Sequence, residues 1–220
     1  MDVRQAVSET EREAIYRFRY EVYVQEMGCK QVYADHDRRI ITEPLDETGR
    51  IFGAWCDGTV VGTVRINFAR SGDLGDYPQL YSMERAGCFH PTCTSITTKF
   101  MVAKPHRGGP VARLLFLTAY QDARQAGIEF NFMDCNPPLV PFFRKWGWRL
   151  YTAPVHHPEY GHVIPMVIAL SDRGYLEQVR SLFVKPAREY PVNRPAVDFC
   201  RTQMVLAESS EMAILAEEIL

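Results

Sequence analysis

The chain has 220 residues, of which 46% are apolar, and this length favours one domain with an ample hydrophobic core. The formal net charge is −2 and no long run of lysine and arginine occurs, which argues against a nucleic-acid-binding protein. No stretch approaches the roughly 18 apolar residues of a membrane-spanning helix, so we expect no integral membrane segment. The six cysteines form no CxxC pair and the N-terminus has no apolar signal region, which predicts a cytoplasmic protein with reduced thiols.

The first predicted element is a helix over about residues 9 to 26. Ser8 followed by Glu11 has the spacing of a capping box, and Gly28 is typical of a residue that closes a helix. Apolar and aromatic residues recur between them at helical spacing, which favours an amphipathic helix.

Residues 29 to 50 have no regular pattern, and such a long irregular segment is typical of a loop that covers a site. Residues 51 to 66 then predict a β-hairpin with its turn at Asp57-Gly58.

Residues 67 to 95 are turn-rich, and we expect them to form an insert over a substrate pocket. Three ligand-type residues lie together at Cys88, His90 and Cys93, but no second cluster completes a tetrahedral site, so we predict no metal.

A strand, a glycine loop and a helix follow one another in the middle of the chain. The β-prone run at 100–103 precedes Arg107, Gly108 and Gly109, and Pro110 opens a strongly apolar helical stretch. Such a loop directs unpaired N–H groups and the positive end of a helix dipole toward one spot, which suits a phosphate or an oxyanion. A plain turn is the alternative.

The rest of the chain predicts two more strands and a change of composition. Residues 128–135 and 163–170 have the character of buried strands. We predict a domain over residues 1–185, followed by a C-terminal segment over 186–220 that contains a proline-rich connector and an amphipathic helix at 209–220. We expect this helix to pack on its own domain or on a sister subunit, so a homodimer is one alternative.

Two resemblances emerge from these motifs. The order strand, Arg-x-x-x-x-Ala loop, helix, strand, Asn, short helix, Gly-aromatic resembles the GNAT acyltransferase superfamily, which implies an α/β fold with a mixed central sheet flanked by helices. Arg19-x-x-x-Tyr23, Asp46 and Gly62-Thr-Val-Arg65 are similar to segments of acyl-homoserine-lactone synthases and, still more, of FeeM-type N-acyl amino acid synthases. The narrower resemblance covers about residues 10 to 183.

The resemblance implies an N-acyltransferase that moves a long-chain fatty acyl group from acyl carrier protein to the amine of an amino acid or related small amine. The donor's 4′-phosphopantetheine arm belongs to the substrate, so we expect no separate cofactor. Carrier protein is favoured over coenzyme A because Pro110 removes an N–H from the phosphate loop. Basic residues are concentrated around the same predicted site, which suits an acidic carrier protein. These residues are Lys104, Arg107, Arg113, Arg144 and Lys145. A protein or peptide lysine acyltransferase and a non-catalytic domain that binds acyl carrier protein are the alternatives.

By the same resemblance, site residues can be assigned. The donor would be held by Phe100, Met101, Val102, Arg107, Gly108, Gly109, Val111, Ala112, Arg113 and Asn136. The backbone N–H groups of Met101 and Val102 would stabilise the oxyanion of the tetrahedral intermediate. Arg19, Tyr23, Asp46 and Arg65 would shape the acceptor pocket, with a structural salt-bridge network as the alternative.

The general base is the part of the site that the resemblance does not supply. Lactone synthases carry a glutamate in the strand where this chain has Ile96-Thr-Thr-Lys-Phe100, and no carboxylate stands there. Glu84 is our candidate base, with Asp35, His36 and Asp37 as alternatives. Many GNAT enzymes have a tyrosine as general acid where this chain has Phe143, so the leaving thiolate is expected to be protonated by solvent.

Overall fold

The structure is a computed structural model that describes residues 1–204. Its main sheet runs in the order β1, β4, β5, β6, β7, β10 and β8, with β9 paired to β10. The bounds of these strands are β1 Asp2–Gln5, β4 Arg50–Cys56, β5 Thr59–Phe68, β6 Thr94–Val102, β7 Phe130–Cys135, β8 Arg149–Leu150, β9 Val155–His157 and β10 Gly161–Ala169. Strands β6 and β7 are parallel, and the other pairs of this sheet are antiparallel. A separate hairpin pairs β2 (Ala34–Asp35) with β3 (Ile40–Ile41).

Helices cover both faces of this mixed sheet, as the GNAT resemblance implies. The α-helices are α1 Glu9–Tyr20, α2 Leu45–Thr48, α3 Tyr77–Leu80, α4 Val111–Gln125, α5 Val140–Trp146, α6 Arg173–Gln178, α7 Val184–Ala187 and α8 Arg194–Phe199. The prediction of a mixed sheet flanked by helices is therefore confirmed. Within residues 1–204, no helix is long and apolar enough to cross a membrane.

Helix α1 begins where the sequence predicts. Glu11 N donates to Ser8 Oγ at 3.2 Å and Ser8 N donates to Glu11 Oε2 at 3.2 Å, which completes a capping box. The sequence does not reveal a change in winding after Tyr20, where the chain continues as a π-helix over Glu21–Glu26. Val22 and Tyr23 of this wider turn line the cavity described below, and π-helical turns are frequent at functional sites.

The hairpin over β4 and β5 turns at Asp57 and Gly58, as predicted, and both residues have positive φ. Strand β6 begins at Thr94, six residues before the predicted Phe100, because its polar residues Thr94, Ser95, Thr97 and Lys99 are buried in the fold. The predicted connector after Pro186 includes the short helix α8, whose residues Ala196 and Val197 are buried. The predicted helix at 209–220 lies outside the described residues.

The pairing of β6 with β7 is short, and this creates a gap in the sheet. Only Thr94 to Ile96 pair with Phe130 to Phe132. Beyond Ile96, strand β6 continues on β5 with a register shift, and Lys99 in this stretch has a φ of 52°. Strand β7 continues on β10 as far as Cys135. The two parallel strands therefore separate, and the space between them is open for a ligand.

Candidate active site

A cavity of about 260 Å³ occupies the gap between β6 and β7. Residues 97–102 of β6 form one wall and residues 133–136 form the other. Because successive side chains of a strand point to opposite faces, the cavity reaches both sides of the sheet. The two sides differ in chemistry.

The side next to α4 and α5 is apolar and aromatic. Phe100, Phe116 and Phe143 line it, with ring centroids 4.8 Å apart for the first pair and 5.8 Å apart for the second. Cys135 and Leu139 complete this side, and burial raises the pKa of the Cys135 thiol to about 12, so it is held neutral. This half of the cavity suits an aliphatic or thioether-containing group.

The glycine loop before α4 lies at the edge of this apolar half. Gly108 has a φ of 76°, which glycine adopts without strain, and Gly109 follows it. Arg107 lines the cavity, where its Nε donates to the carbonyl of Val102 at 2.9 Å and its guanidinium pairs with Glu26 at 2.6 Å. Of the helix residues assigned to the donor, Val111 is buried, Ala112 is half-buried and Arg113 is exposed.

The backbone of β6 offers an N–H donor toward the gap at Val102. Ala103 N donates to the carbonyl of Val61 on the β5 side at 2.9 Å. Backbone groups alternate in direction along a strand, so the N–H of Met101 points to β5 and that of Val102 points to the gap. The bond from Arg107 to the Val102 carbonyl agrees with this direction. The geometry therefore favours Val102 over Met101 as the oxyanion donor, and Met101 contributes its side chain to the wall.

The opposite side of the cavity is polar and rich in tyrosine. Tyr23, Tyr77, Tyr81 and Tyr160 line it together with Lys99 and Asp134. Lys99 Nζ donates to the hydroxyl of Tyr160 at 2.7 Å and forms an ion pair with Glu43. Burial lowers the pKa of Lys99, and the charge of Glu43 opposes that effect. Burial also raises the pKa of Tyr23 to about 12.

A buried ionic cluster lies behind the polar side of the cavity. Arg19 and Arg65 each approach Asp46 at 2.8 Å, and Arg65 also approaches Glu43 at 2.8 Å. Burial alone would raise the pKa of Asp46, but the charges of Arg19 and Arg65 outweigh it and lower that pKa below its ordinary value. Arg65 Nε donates to Thr98 at 3.0 Å, so the cluster is joined to the cavity wall.

Asp134 has a different environment. Its Oδ2 accepts a hydrogen bond from Tyr81 at 3.0 Å, and it forms no ion pair within residues 1–204. Burial raises the pKa of Asp134, while the Tyr81 hydrogen bond and the charges of His157 and Lys99 oppose the rise. A carboxyl with a raised pKa in a substrate cavity is a functional-site candidate.

Comparison with known proteins agrees with this architecture. The family model described as "N-acyl amino acid synthase FeeM" matches residues 14–170. The chain belongs to this family. It is accordingly an N-acyltransferase, and the resemblance read from its motifs is confirmed. No curated protein gives a significant match to the chain.

Solved structures similar to this family member share its fold. FeeM from uncultured soil microbes is 18% identical, with a TM-score of 0.65 over 84% of this chain and 96% of that chain. The CoA-dependent acyl-homoserine lactone synthase MesI is 23% identical, with a TM-score of 0.61 over 81% and 93%. An acyl-CoA N-acyltransferase from Pseudomonas aeruginosa is 17% identical, with a TM-score of 0.58 over 77% and 100%. At these identities the likeness establishes the GNAT-type fold.

Half of the ten residues that the sequence assigned to the donor line the cavity, and the other half adjoin it. Phe100, Met101, Val102, Arg107 and Asn136 all line the cavity. Gly108, Gly109, Val111, Ala112 and Arg113 lie in the adjoining loop and the first turn of α4.

The residues that the sequence assigned to the acceptor divide into two groups. Tyr23 lines the cavity. Arg19, Asp46 and Arg65 are buried behind the wall, where they form the salt-bridge network that the sequence left as the alternative to direct contact. Their part in the site is to hold α1 and β5 in place next to the polar half.

The structure does not bring the sequence-derived base candidates to the cavity. Glu84 is exposed in a 3₁₀ segment over Met83–Phe89 and does not line the cavity. Asp35 accepts from the Arg38 backbone at 2.8 Å, and the ring of His36 bonds to Tyr20 at 2.9 Å. Asp37 is exposed.

Sequence reasoning did not identify two ionisable residues that the cavity contains, Lys99 and Asp134. Each is a single charged residue in a strand beside apolar residues. This pattern is visible in the sequence and could have identified both residues. Among the described residues, no group of three His, Cys, Asp or Glu is placed to hold a metal ion.

Proposed function

We propose that this N-acyltransferase moves a long-chain fatty acyl group from acyl carrier protein to the amine of an amino acid or related small amine. The observation that carries the proposal is the cavity in the sheet gap, which joins an aromatic half near the glycine loop to a polar half with Lys99 and Asp134. A thioester fits the first half and a charged small amine fits the second. The reacting atoms then meet where β6 and β7 separate.

The donor enters from the glycine loop in this proposal. Its phosphate lies at the N-terminus of α4, where backbone N–H groups and the helix dipole favour negative charge. Arg107 lies beside this position and adds a cation. The pantetheine arm occupies the gap, and the thioester carbonyl accepts a hydrogen bond from the N–H of Val102. That N–H then stabilises the oxyanion of the tetrahedral intermediate.

Two features support carrier protein as the donor. Pro110 precedes α4 and supplies no N–H, so the loop has one donor fewer for a pyrophosphate but enough for a single phosphate. Lys104, Arg113 and Lys145 are exposed around the loop and the end of α5, which places positive charge where an acidic carrier would dock. Coenzyme A is the alternative donor, since two structural neighbours are CoA-dependent acyl-homoserine lactone synthases.

A long acyl chain is supported by the aromatic lining. Phe116 and Phe143 lie beside Phe100 and contribute apolar contact area rather than polar groups. Nearby phenylalanines have other environments, since Phe130 and Phe132 are fully buried and Phe142 is 37% exposed. The proposal therefore rests on the three that line the cavity.

The first test compares donors. Hexadecanoyl-carrier protein, hexadecanoyl-coenzyme A and acetyl-coenzyme A are each supplied with the twenty standard amino acids, and amide products are measured by mass spectrometry. We expect the carrier-bound hexadecanoyl group to give the highest kcat/KM. Equal efficiency with the two hexadecanoyl donors would contradict carrier dependence, and equal efficiency with acetyl would contradict the preference for long chains.

The second test changes the charge of the docking surface. Lys104→Glu and Arg113→Glu should each lower kcat/KM for the carrier-bound donor about tenfold at low salt, with a smaller loss at high salt, because steering by charge is screened. Lys185→Glu is the matched control, since Lys185 is exposed on α7 and does not line the cavity. An identical loss in the control, or none in the two variants, would contradict docking at this surface.

A further inference from the structure

Asp134 stands where the sheet gap begins. It lies two residues beyond Phe132, which is the last residue of β7 paired with β6, and it remains paired with Pro165 of β10. Its neighbours Met133 and Cys135 pack in the core next to α4. Because side chains alternate along a strand, Asp134 points to the opposite, polar half of the cavity, where Tyr81 donates to it at 3.0 Å.

The carboxylates near the cavity are partnered in different ways. Glu43 pairs with Lys99 and Arg65, and Asp46 pairs with Arg19 and Arg65. Asp134 accepts a hydrogen bond from a neutral tyrosine and has no cationic partner within the described part of the chain. The charges of Lys99 and His157 act on Asp134 from beyond ion-pair distance, so the ammonium group of an acceptor would be its first directly paired cation among the described residues.

We propose that Asp134 binds the ammonium group of the acceptor and removes the proton that must leave before the nitrogen can attack. Tyr81 acts as a positioning residue, because its hydroxyl fixes the carboxylate through Oδ2 and leaves Oδ1 for the acceptor. This inference rests on the proposed function and assigns to it the base that neither the sequence nor the resemblance supplied.

Two protons leave the acceptor nitrogen in the proposed reaction. The acceptor ammonium transfers one proton to the Asp134 carboxylate, which becomes a neutral carboxylic acid. The nitrogen lone pair then forms a C–N bond with the thioester carbonyl, whose oxygen becomes an oxyanion facing the Val102 N–H. The C–S bond breaks as the oxyanion collapses, and the departing thiolate receives the second proton from nitrogen. Asp134 afterwards releases its proton to solvent, which leaves an amide and a thiol.

The groups that face Asp134 determine how its activity depends on pH. They are Tyr81 and Tyr77 from the segment over the cavity, Lys99 from β6, His157 from β9 and Tyr160 from the turn before β10. Burial is the largest effect and raises the pKa of Asp134 above that of an exposed aspartate. The ionised form is the base, so activity is lost as pH falls through this raised pKa.

The test compares the pH profiles of the wild-type enzyme and Asp134→Asn. The acceptor is the standard amino acid that the wild-type enzyme acylates fastest. We expect Asp134→Asn to lower kcat/KM about 10²-fold at pH 7, which is the usual size of a general-base effect. In the variant, kcat/KM should rise about tenfold per pH unit up to the pKa of the free amine, because only the neutral amine reacts. The wild-type profile should be flat between the two pKa values.

Two further variants keep the result interpretable. Asp57→Asn makes the same chemical change at the exposed tip of the β4–β5 hairpin and should leave kcat/KM unchanged. Tyr81→Phe keeps the carboxylate but removes the hydrogen bond that stabilises its charge, so the acid limb of the wild-type profile should move to higher pH. This shift tests the assignment even where Asp134→Asn does not fold.

Several outcomes would overturn the inference. Wild-type activity and an unchanged pH profile in Asp134→Asn would exclude Asp134 as the base. An acid limb that persists in Asp134→Asn and disappears in His157→Gln would assign the base to His157 instead, and an acid limb unmoved in Tyr81→Phe would also count against Asp134. If the wild-type enzyme itself acylates no amine from any of the three donors, the proposed function fails, which is a distinguishable result.

Discussion

Asp46 and Asp134 are both withdrawn from bulk water, yet their surroundings change their pKa values in opposite directions. Burial favours the neutral form of each, but two arginines reverse that effect at Asp46, whereas Asp134 keeps a raised pKa. The first residue therefore stays ionised to a lower pH than an exposed aspartate does, and its ion pairs are structural. The second accepts a proton at a higher pH than an exposed aspartate does, and it lines the cavity.

The ionic cluster leads to a prediction about stability. Asp46→Asn leaves Arg19 and Arg65, both fully buried, without the charge that they share. We expect the free energy of unfolding to fall by about 3–5 kcal/mol, because an uncompensated buried charge is strongly destabilising. Urea unfolding at pH 7 measures this. Glu177→Gln, which removes an exposed pair with Arg188, is the control and should cost about 1 kcal/mol or less.

The pH dependence of unfolding checks the same prediction. The folded-state pKa of Asp46 is lowered, so its contribution is present above the unfolded-state pKa and is lost as pH falls through the folded-state value. The stability of the wild-type protein should thus fall more steeply in acid than that of Asp46→Asn. A variant as stable as wild type at pH 7, or parallel acid profiles, would show that the cluster is not the main source of this stability.

At the scale of elements, the sequence predicts those parts of the fold that are encoded locally. The capping box at Ser8, the turn at Asp57-Gly58 and the loop before α4 all lie where short-range patterns place them. The register shift near Lys99 and the early end of the β6–β7 pairing depend on residues far apart in sequence. The cavity is formed by these long-range features, which explains why sequence identified the donor loop but missed Asp134.

The contact between β5 and α4 leads to a prediction at this scale. A Cβ added to Gly62 would lie 2.7 Å from Val111 Cγ1 and 3.1 Å from the carbonyl oxygen of Met101, so Gly62→Ala must push α4 away from the sheet. We expect a loss of about 1–3 kcal/mol of stability from overpacking. Because Val111 begins α4 next to the glycine loop, KM for the acyl donor should rise more than KM for the acceptor.

A matched glycine substitution provides the control. Gly174 lies in α6, is exposed, and would place its Cβ 3.3 Å from the flexible end of Arg201. Gly174→Ala should therefore be neutral or slightly stabilising. Steady-state kinetics and thermal unfolding of both variants provide the measurements. Equal increases in the two KM values of Gly62→Ala would mean that the disturbance is not confined to the donor side.

At the scale of the whole molecule, three apolar clusters of residues 1–204 surround the sheet. One lies between the sheet and α4, one lies under α1, and one brings the C-terminal residues Ala196, Cys200 and Met204 against Phe130 and Tyr151. The sequence predicts a domain boundary after residue 185, and this boundary stays a prediction. The third cluster contains residues from beyond it. The segment beyond it contributes fully buried side chains to the same core as β7.

The boundary can be tested by shortening the chain. A chain ending at residue 188 loses Ala196, Cys200 and Met204 from the core. Asp172 also loses its hydrogen bonds to Arg201, although its bond from Arg149 at 2.7 Å remains. Burial of several apolar side chains contributes on the order of 3 kcal/mol or more. At about 2–4 °C per kcal/mol for a protein of this size, Tm should fall by about 10 °C. A chain ending at residue 204 is the control and should lose much less, since it keeps these contacts. Equal Tm values for the two shortened chains would instead show that the C-terminal segment is an independent appendage. The core under β7 would then be stable without residues 189–204.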